Sequence, residues 1–314
     1  MILTLDDARI RTVMLTSLAM GAFATNSLLT RLALGSHFID PVSFTLLRAL
    51  AAAVILTNIV VWRWRRLPRL APSWASCVAL FGYLVFFSLA YTRLAAGTGT
   101  LILFGAVQLA MLSVAVQQGD RLPAISWIAF GVALSGLLWL VAPGLNAPDP
   151  VGCLFMTIAG VSWGAFSLLG RGTSDPLDAN AASFLGCLPI VIFASVLFHA
   201  DFRVTVAGFG LAVASGAVAS GLGYVIWYAA LKELRSIHAA AVQLSVPILA
   251  TIAGAVFLGE PVTLRLVVSS LAVLGGVAAV LMQSSQPLAA ASLQRAGETP
   301  NSRLKARLNA SSES

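Results

Sequence analysis

This sequence is poor in charge, in cysteine and in every motif that marks a soluble enzyme or a nucleotide-driven machine. Only 10% of its 314 residues are Asp, Glu, Lys or Arg, against about 25% in a soluble domain. So little polar surface cannot cover a water-soluble globule. Its three cysteines, Cys77, Cys153 and Cys187, lie far apart inside apolar runs. An odd count with no CxxC or His/Cys cluster excludes a disulfide framework and a zinc site. There is no phosphate-binding GxxxxGKS or GxxxxGKT loop, which excludes direct use of ATP. No HExxH or buried carboxylate pair supports hydrolysis, and the GxSxG string Gly160-Val161-Ser162-Trp163-Gly164 lies inside an apolar run rather than at the strand-to-helix turn such a nucleophile needs. His37, His199 and His238 fall at the edges of apolar runs, where an imidazole is ordinarily solvated. No cofactor, no metal and no enzymatic activity are expected.

What is present is apolar length. The chain is 59% hydrophobic with a mean hydropathy of +0.91, and about 20 apolar residues suffice to cross a bilayer as a helix. Ten such segments can be marked, at 12–34, 41–62, 73–92, 96–117, 123–143, 151–171, 180–199, 205–231, 237–258 and 263–283. They lack the alternation of barrel strands, as Val213–Ala219 and Ala239–Val246 show. The expected fold is therefore an all-α integral membrane protein of ten transmembrane helices. The first run is too long for a signal h-region and is read as an uncleaved first span. Residues 284–314 change to Ser, Gln, Asn, Arg and Glu and are read as a disordered tail.

The few charges carry the orientation. With residues 1–11 in the cytoplasm, fourteen of the nineteen Lys and Arg fall on the inner side. Three, Arg93, Arg203 and Arg265, fall outside, and Arg31 and Arg48 lie within spans. Basic loops stay inside, so both termini are expected in the cytoplasm. The net charge of +7 is read as this loop bias rather than as a nucleic-acid surface.

Sliding the chain against itself gives one informative offset, 140 residues. Ser27-Leu28-Leu29-Thr30-Arg31 lies over Ser167-Leu168-Leu169-Gly170-Arg171, and Gly119-Asp120 over Gly259-Glu260. Leu109-Ala110 matches Leu249-Ala250 without a gap. Each unit, 12–143 and 151–283, then holds five spans. Because five is odd, the second crosses the membrane upside down relative to the first. Two inverted five-helix repeats are a mark of secondary transporters, with the site near the midplane between them.

On these residues the chain resembles an EamA-type permease of the drug/metabolite transporter superfamily. The resemblance covers about 12–283 and rests on four features. They are the five-plus-five repeat, Arg48 early in the second span, the Trp163…Arg171 pattern of the sixth, and the Pro247…Leu258-Gly259-Glu260 ending of the ninth. The first half departs from the family pattern, with Val107 where Pro is expected and Gly119-Asp120-Arg121 in place of Gly-Glu-Arg. The resemblance implies export or exchange of small metabolites, often amino acids, across the inner membrane. Its partners are then a small-molecule substrate and the lipid bilayer, with no nucleic acid; whether it is a homodimer stays open.

Candidate substrate contacts are the polar groups left inside the spans. Arg48 sits about two turns into a span, where a charge costs at least about 2.5–3.5 kcal/mol. It is read as a substrate-carboxylate contact or gate, or else as an arginine that fixes helix packing. Pro247 lacks an N–H and frees the carbonyl of Gln243, so the ninth span should break there beside a polar side chain. Gln108, in the facing stretch of span four, would lie opposite Gln243; the alternative is amide glue between helices. Tyr224 shares a face with Tyr228, and Trp227 lies beside them; Tyr224 is the pocket candidate and Tyr228 an interfacial anchor. Asn26 and Trp163 complete the set, lining a cavity drawn from spans one, three, four, six, eight and nine. Gly160 and Gly164 form a GxxxG, and Glu260 is read as a loop anchor. An integral-membrane enzyme such as a lipid-modifying transferase, a drug exporter and a metabolite importer are the alternatives.

Overall fold

The protein is described from a computed structural model, which covers residues 5–69, 73–118, 123–144, 146–170, 173, 175–198, 202–234 and 236–284. Gly119, Asp120, Arg121, Arg171, His199 and the tail beyond Ser284 lie outside the described residues. Ten helices are long and apolar enough to cross a membrane, and no strand occurs among the described residues. They are span one (Leu5–Gly35), two (Pro41–Trp64), three (Trp74–Tyr91), four (Ala96–Gln117) and five (Ala124–Val141). Six is Pro150–Leu169, seven Pro176–Leu197, eight Val206–Leu231, nine the pair Ser236–Gln243 and Ser245–Leu258, and ten Leu264–Ser284. The first helix is described from Leu5, inside residues 1–11, which are expected from sequence to precede the first span.

Three spans start on the same dipeptide. Asp40-Pro41, Asp149-Pro150 and Asp175-Pro176 each place a carboxylate at the N-cap and a proline at the first helical position. Asp40 accepts from Val42 N and Ser43 N at 3.0 and 2.8 Å, and Asp149 from Gly152 N at 2.7 Å. These satisfy donors no helix can satisfy internally, and proline removes one such donor outright. The cap at Asp175 is why span seven starts at Pro176 rather than 180.

Two spans are irregular. Span nine breaks at Leu244, three residues before Pro247, as the missing proline N–H requires. It stops at Gly259, whose φ of +65° is a left-handed cap that glycine adopts without strain. Span eight passes through a π-helical stretch, Ala214–Leu222, between its α-helical ends. That stretch lies on span two, with Gly216 against the carbonyl of Arg48 and Gly221 against Ile55. With no apolar driving force between helices in lipid, close approach of this kind supplies the packing energy. The Gly160–Gly164 pair works likewise, facing Leu103, Ala106 and Ala110 of span four.

The pairings have a regularity. Spans three and six, four and six, two and eight, two and seven, four and nine, and five and ten pack side by side. Shifting every span by five turns three–six into eight–one, four–six into nine–one, and two–eight into seven–three, all of which also pack. Two–seven, four–nine and five–ten map onto themselves. Among the described residues, bonds between connections join those of like parity. Asp40 N donates to Arg203 O at 2.9 Å, Arg93 pairs with Asp149 at 3.4 Å, and Arg265 donates to Ala142 O at 2.7 Å, all after odd spans. Arg66 pairs with Asp178 at 2.9 Å after even spans. This is the arrangement of successive helices crossing in alternate directions, and the protein is a multi-pass membrane protein.

A methyl group at Gly216 would run into main chain, whereas at Gly131 it would meet nothing within 4 Å. Gly216→Ala is expected to lower the thermal unfolding midpoint in detergent, by about 1–3 kcal/mol of overpacking. Gly131→Ala, removing helix-interior glycine entropy, should leave it equal or higher. Equal midpoints for the two variants would contradict the close packing of spans two and eight.

Candidate substrate site

The site is built around Arg48. Its side chain leaves span two, is 1% exposed, and is among the largest fully buried side chains of the molecule. Its guanidinium carbon lies 4.9 Å from the ring centroid of Phe87, 5.5 Å from Tyr83 and 6.0 Å from Phe44. Neither terminal nitrogen has a hydrogen-bond partner, and Arg48 has no ion pair among the described residues. The three ring faces attract the cation, each by roughly 0.5–2 kcal/mol. They offer the two terminal nitrogens only weak N–H···π contacts, and a buried donor without a full hydrogen bond costs about 1–3 kcal/mol. The rings hold the charge; they do not satisfy it.

From Tyr83 the aromatic contact continues into the second half of the chain. Tyr83 lies 4.8 Å from Trp163 of span six, which stacks on Tyr224 of span eight at 5.4 Å and 20°. Tyr224 meets Phe184 of span seven at 6.4 Å and Phe23 of span one at 5.9 Å; Phe23 in turn meets Trp227 edge-on at 6.0 Å. A short polar chain runs beside the rings. Asn26 Nδ2 donates to the Tyr83 hydroxyl at 3.4 Å, and its Oδ1 accepts from Ser215 Oγ at 2.7 Å. Ser215 belongs to the π-helical stretch, an irregularity that recurs at functional sites. One positive charge therefore sits at the end of a ladder of rings assembled from both halves.

Of the residues picked from sequence, the structure brings Asn26, Arg48, Trp163, Tyr224 and Trp227 into this one cluster. Gln108 and Gln243 are half-buried, on span four and at the break in span nine. Neither takes part in the ring contacts and hydrogen bonds that tie the cluster together. Pro247 is buried just beyond the break. The cluster draws on spans one, two, three, six, seven and eight, so spans two and seven contribute where four and nine were expected. Tyr83, Phe87, Phe23 and Ser215 were not among the sequence candidates. The signal for Tyr83 was its depth, since a tyrosine in mid-span is not an interfacial anchor.

Glu260 has the anchoring role read from sequence, and more. One oxygen accepts from Arg31 Nε at 3.0 Å and the other from the main-chain N–H of Ala96 at 2.7 Å; Arg31 also donates to Tyr91 O at 3.1 Å. The pair ties the end of span nine to spans one, three and four, on the face that carries the loops after odd spans.

Comparison with known proteins agrees with this architecture. The model of the EamA-like transporter family matches residues 150–282, the five spans of the second half. A curated protein of Pseudomonas aeruginosa is 48% identical over 271 residues, spanning 86% of this chain and 94% of its own. A protein of Archaeoglobus fulgidus described as an uncharacterized transporter is 24% identical over 77% of this chain and 88% of its own. The uncharacterized transporter YwfM of Bacillus subtilis is 26% identical over 73% and 80%. A crystal structure, 20% identical, superposes with a TM-score of 0.60 over 84% of this chain and 98% of its own, which shows a shared fold. The chain belongs to the EamA-like transporter family, within the drug/metabolite transporter superfamily, and is a membrane transporter.

An unpaired buried cation is a cost to the fold, and apolar replacement of buried ions is often neutral or stabilising. Arg48→Met is therefore expected to fold with an equal or higher thermal midpoint while losing transport. A clear drop in the midpoint would instead identify Arg48 as a packing staple.

Proposed function

We propose that the protein is a secondary transporter that exports an amino acid or a related compound across the inner membrane. Two inverted five-helix halves, 12–143 and 151–283, alternate in opening a central site to either side. The observation that carries this reading is Arg48: a desolvated, unpartnered cation placed where spans of both halves converge. A stability cost retained inside a membrane span is the ordinary mark of a substrate pathway.

Three further features support it. The 140-residue offset and the mapping of span pairings under a shift of five fit an internal twofold. The family model covers one five-span unit. The break in span nine and the π-helical stretch of span eight give each a place where it can flex without unravelling. Asn26, Arg48, Trp163, Tyr224 and Trp227 are the proposed substrate contacts, with Gln108 and Gln243 engaged only when the halves move and Pro247 holding the flexible point. The basic-loop bias puts both termini in the cytoplasm. The face latched by Arg31–Glu260 and Asp40–Arg203 is then the outer one, and the face closed by Arg66–Asp178 the inner one. Export requires these latches to open in turn.

Counterflow in proteoliposomes tests the reading. With purified protein and a panel of amino acids and related acids, at least one labelled compound is expected to accumulate against its unlabelled form in the lumen. No accumulation or exchange of any compound would overturn the carrier assignment.

A further inference from the structure

The charge balance of the cluster points to a substrate class defined by its carboxylate rather than by an amine. Resting on the reading of the cluster as a substrate site, we propose that it takes a flat, apolar monocarboxylate and that a substrate amine is dispensable. Arg48 offers two terminal nitrogens, both buried and both without a partner. A carboxylate matches that planar fork in geometry and charge, with two parallel N–H···O bonds. Recognition of the charge is thereby accounted for by one residue already in place.

An ammonium finds no equivalent. None of the side chains that form the cluster is acidic, and the three ion pairs of the described residues all lie at the helix ends. The polar acceptors near the rings are neutral and supply no counter-charge: Asn26 Oδ1 already accepts from Ser215 and the Tyr83 hydroxyl from Asn26. The ring faces of Phe44, Tyr83 and Phe87, which would otherwise attract a second cation, are turned to Arg48. A substrate amine would enter beside a like charge with no counter-ion, which disfavours it. A cationic drug, with no anion to offer Arg48, is disfavoured most.

The body of the substrate follows from the ladder beyond Arg48. Tyr83, Trp163 and Tyr224 are packed ring against ring at 4.8 and 5.4 Å, so a ligand is accommodated by replacing a ring–ring contact. A planar apolar group does this with the least loss. Neutralising Arg48 at the same time removes a charge that has no ion pair among the described residues.

Three probes that share a phenyl ring and a two-carbon link separate the possibilities: 3-phenylpropionate (carboxylate only), L-phenylalanine (both groups) and 2-phenylethylamine (amine only). The thermal midpoint of the purified full chain in detergent is read against probe concentration. 3-Phenylpropionate is expected to raise the midpoint at a half-maximal concentration equal to or below that of phenylalanine. 2-Phenylethylamine should leave it unchanged. Arg48→Met should lose the response to both acids, while Arg48→Lys keeps a weaker one. Phenylalanine acting without phenylpropionate overturns the proposal while leaving an amino-acid carrier standing. A response to phenylethylamine, or a response undiminished in Arg48→Met, overturns it as well. Silence towards all three probes also overturns it, and counterflow of another compound in the same preparation then keeps that failure separate from failure of the carrier reading.

Discussion

The constraint on which the rest of this structure turns is a guanidinium enclosed in hydrocarbon with no counter-charge among the described residues. Placing Arg48 two turns into a membrane span is costly. Three aromatic faces reduce the cost without removing it. The arrangement that results is specific. Phe44 and Arg48 come from span two, Tyr83 and Phe87 from span three, and Gly216 of span eight closes on the backbone that carries the arginine. A methyl group at Gly216 would meet the Arg48 carbonyl, so the π-helical stretch and the buried cation are parts of one packing solution.

In the proposed cycle this tension is useful. A centre that is charged when empty and neutral when loaded gives the protein a reason to change state on binding, because a ligand moves an equilibrium only by its differential affinity for the two states. The elements that would move are those whose helices are already interrupted, spans eight and nine. The polar bonds that would have to open in turn are Arg31–Glu260 at one face and Arg66–Asp178 at the other.

Much of the fold was legible. Ten runs of about 20 apolar residues have no other physical reading, and their ends came within a few residues except at the start of span one, helical from Leu5 rather than 12, and where Asp175-Pro176 caps span seven early. The break in span nine followed from a single proline. Less of the site was legible, for stated reasons. Arg48, Asn26, Trp163, Tyr224 and Trp227 stand out because polar atoms in hydrocarbon are rare, whereas Phe23 and Phe87 look like any lipid-facing phenylalanine. Whether an aromatic faces lipid or the centre depends on helix rotation, which hydropathy does not encode when a span is apolar on all sides. The Arg31–Glu260 pair joins residues 229 apart in sequence, and no local pattern announces such a contact. The amides of Gln108 and Gln243 were chosen for polarity and facing position, yet the rings that tie the cluster together run past them.

The most direct test is an experimentally determined structure of the protein with a transported substrate bound. The account predicts an acidic oxygen of the substrate at hydrogen-bond distance, about 2.7–2.9 Å, from a terminal nitrogen of Arg48, with the substrate body lying against Tyr83 or Trp163. A substrate seated elsewhere, with Arg48 still boxed by Phe44, Tyr83 and Phe87, would contradict it.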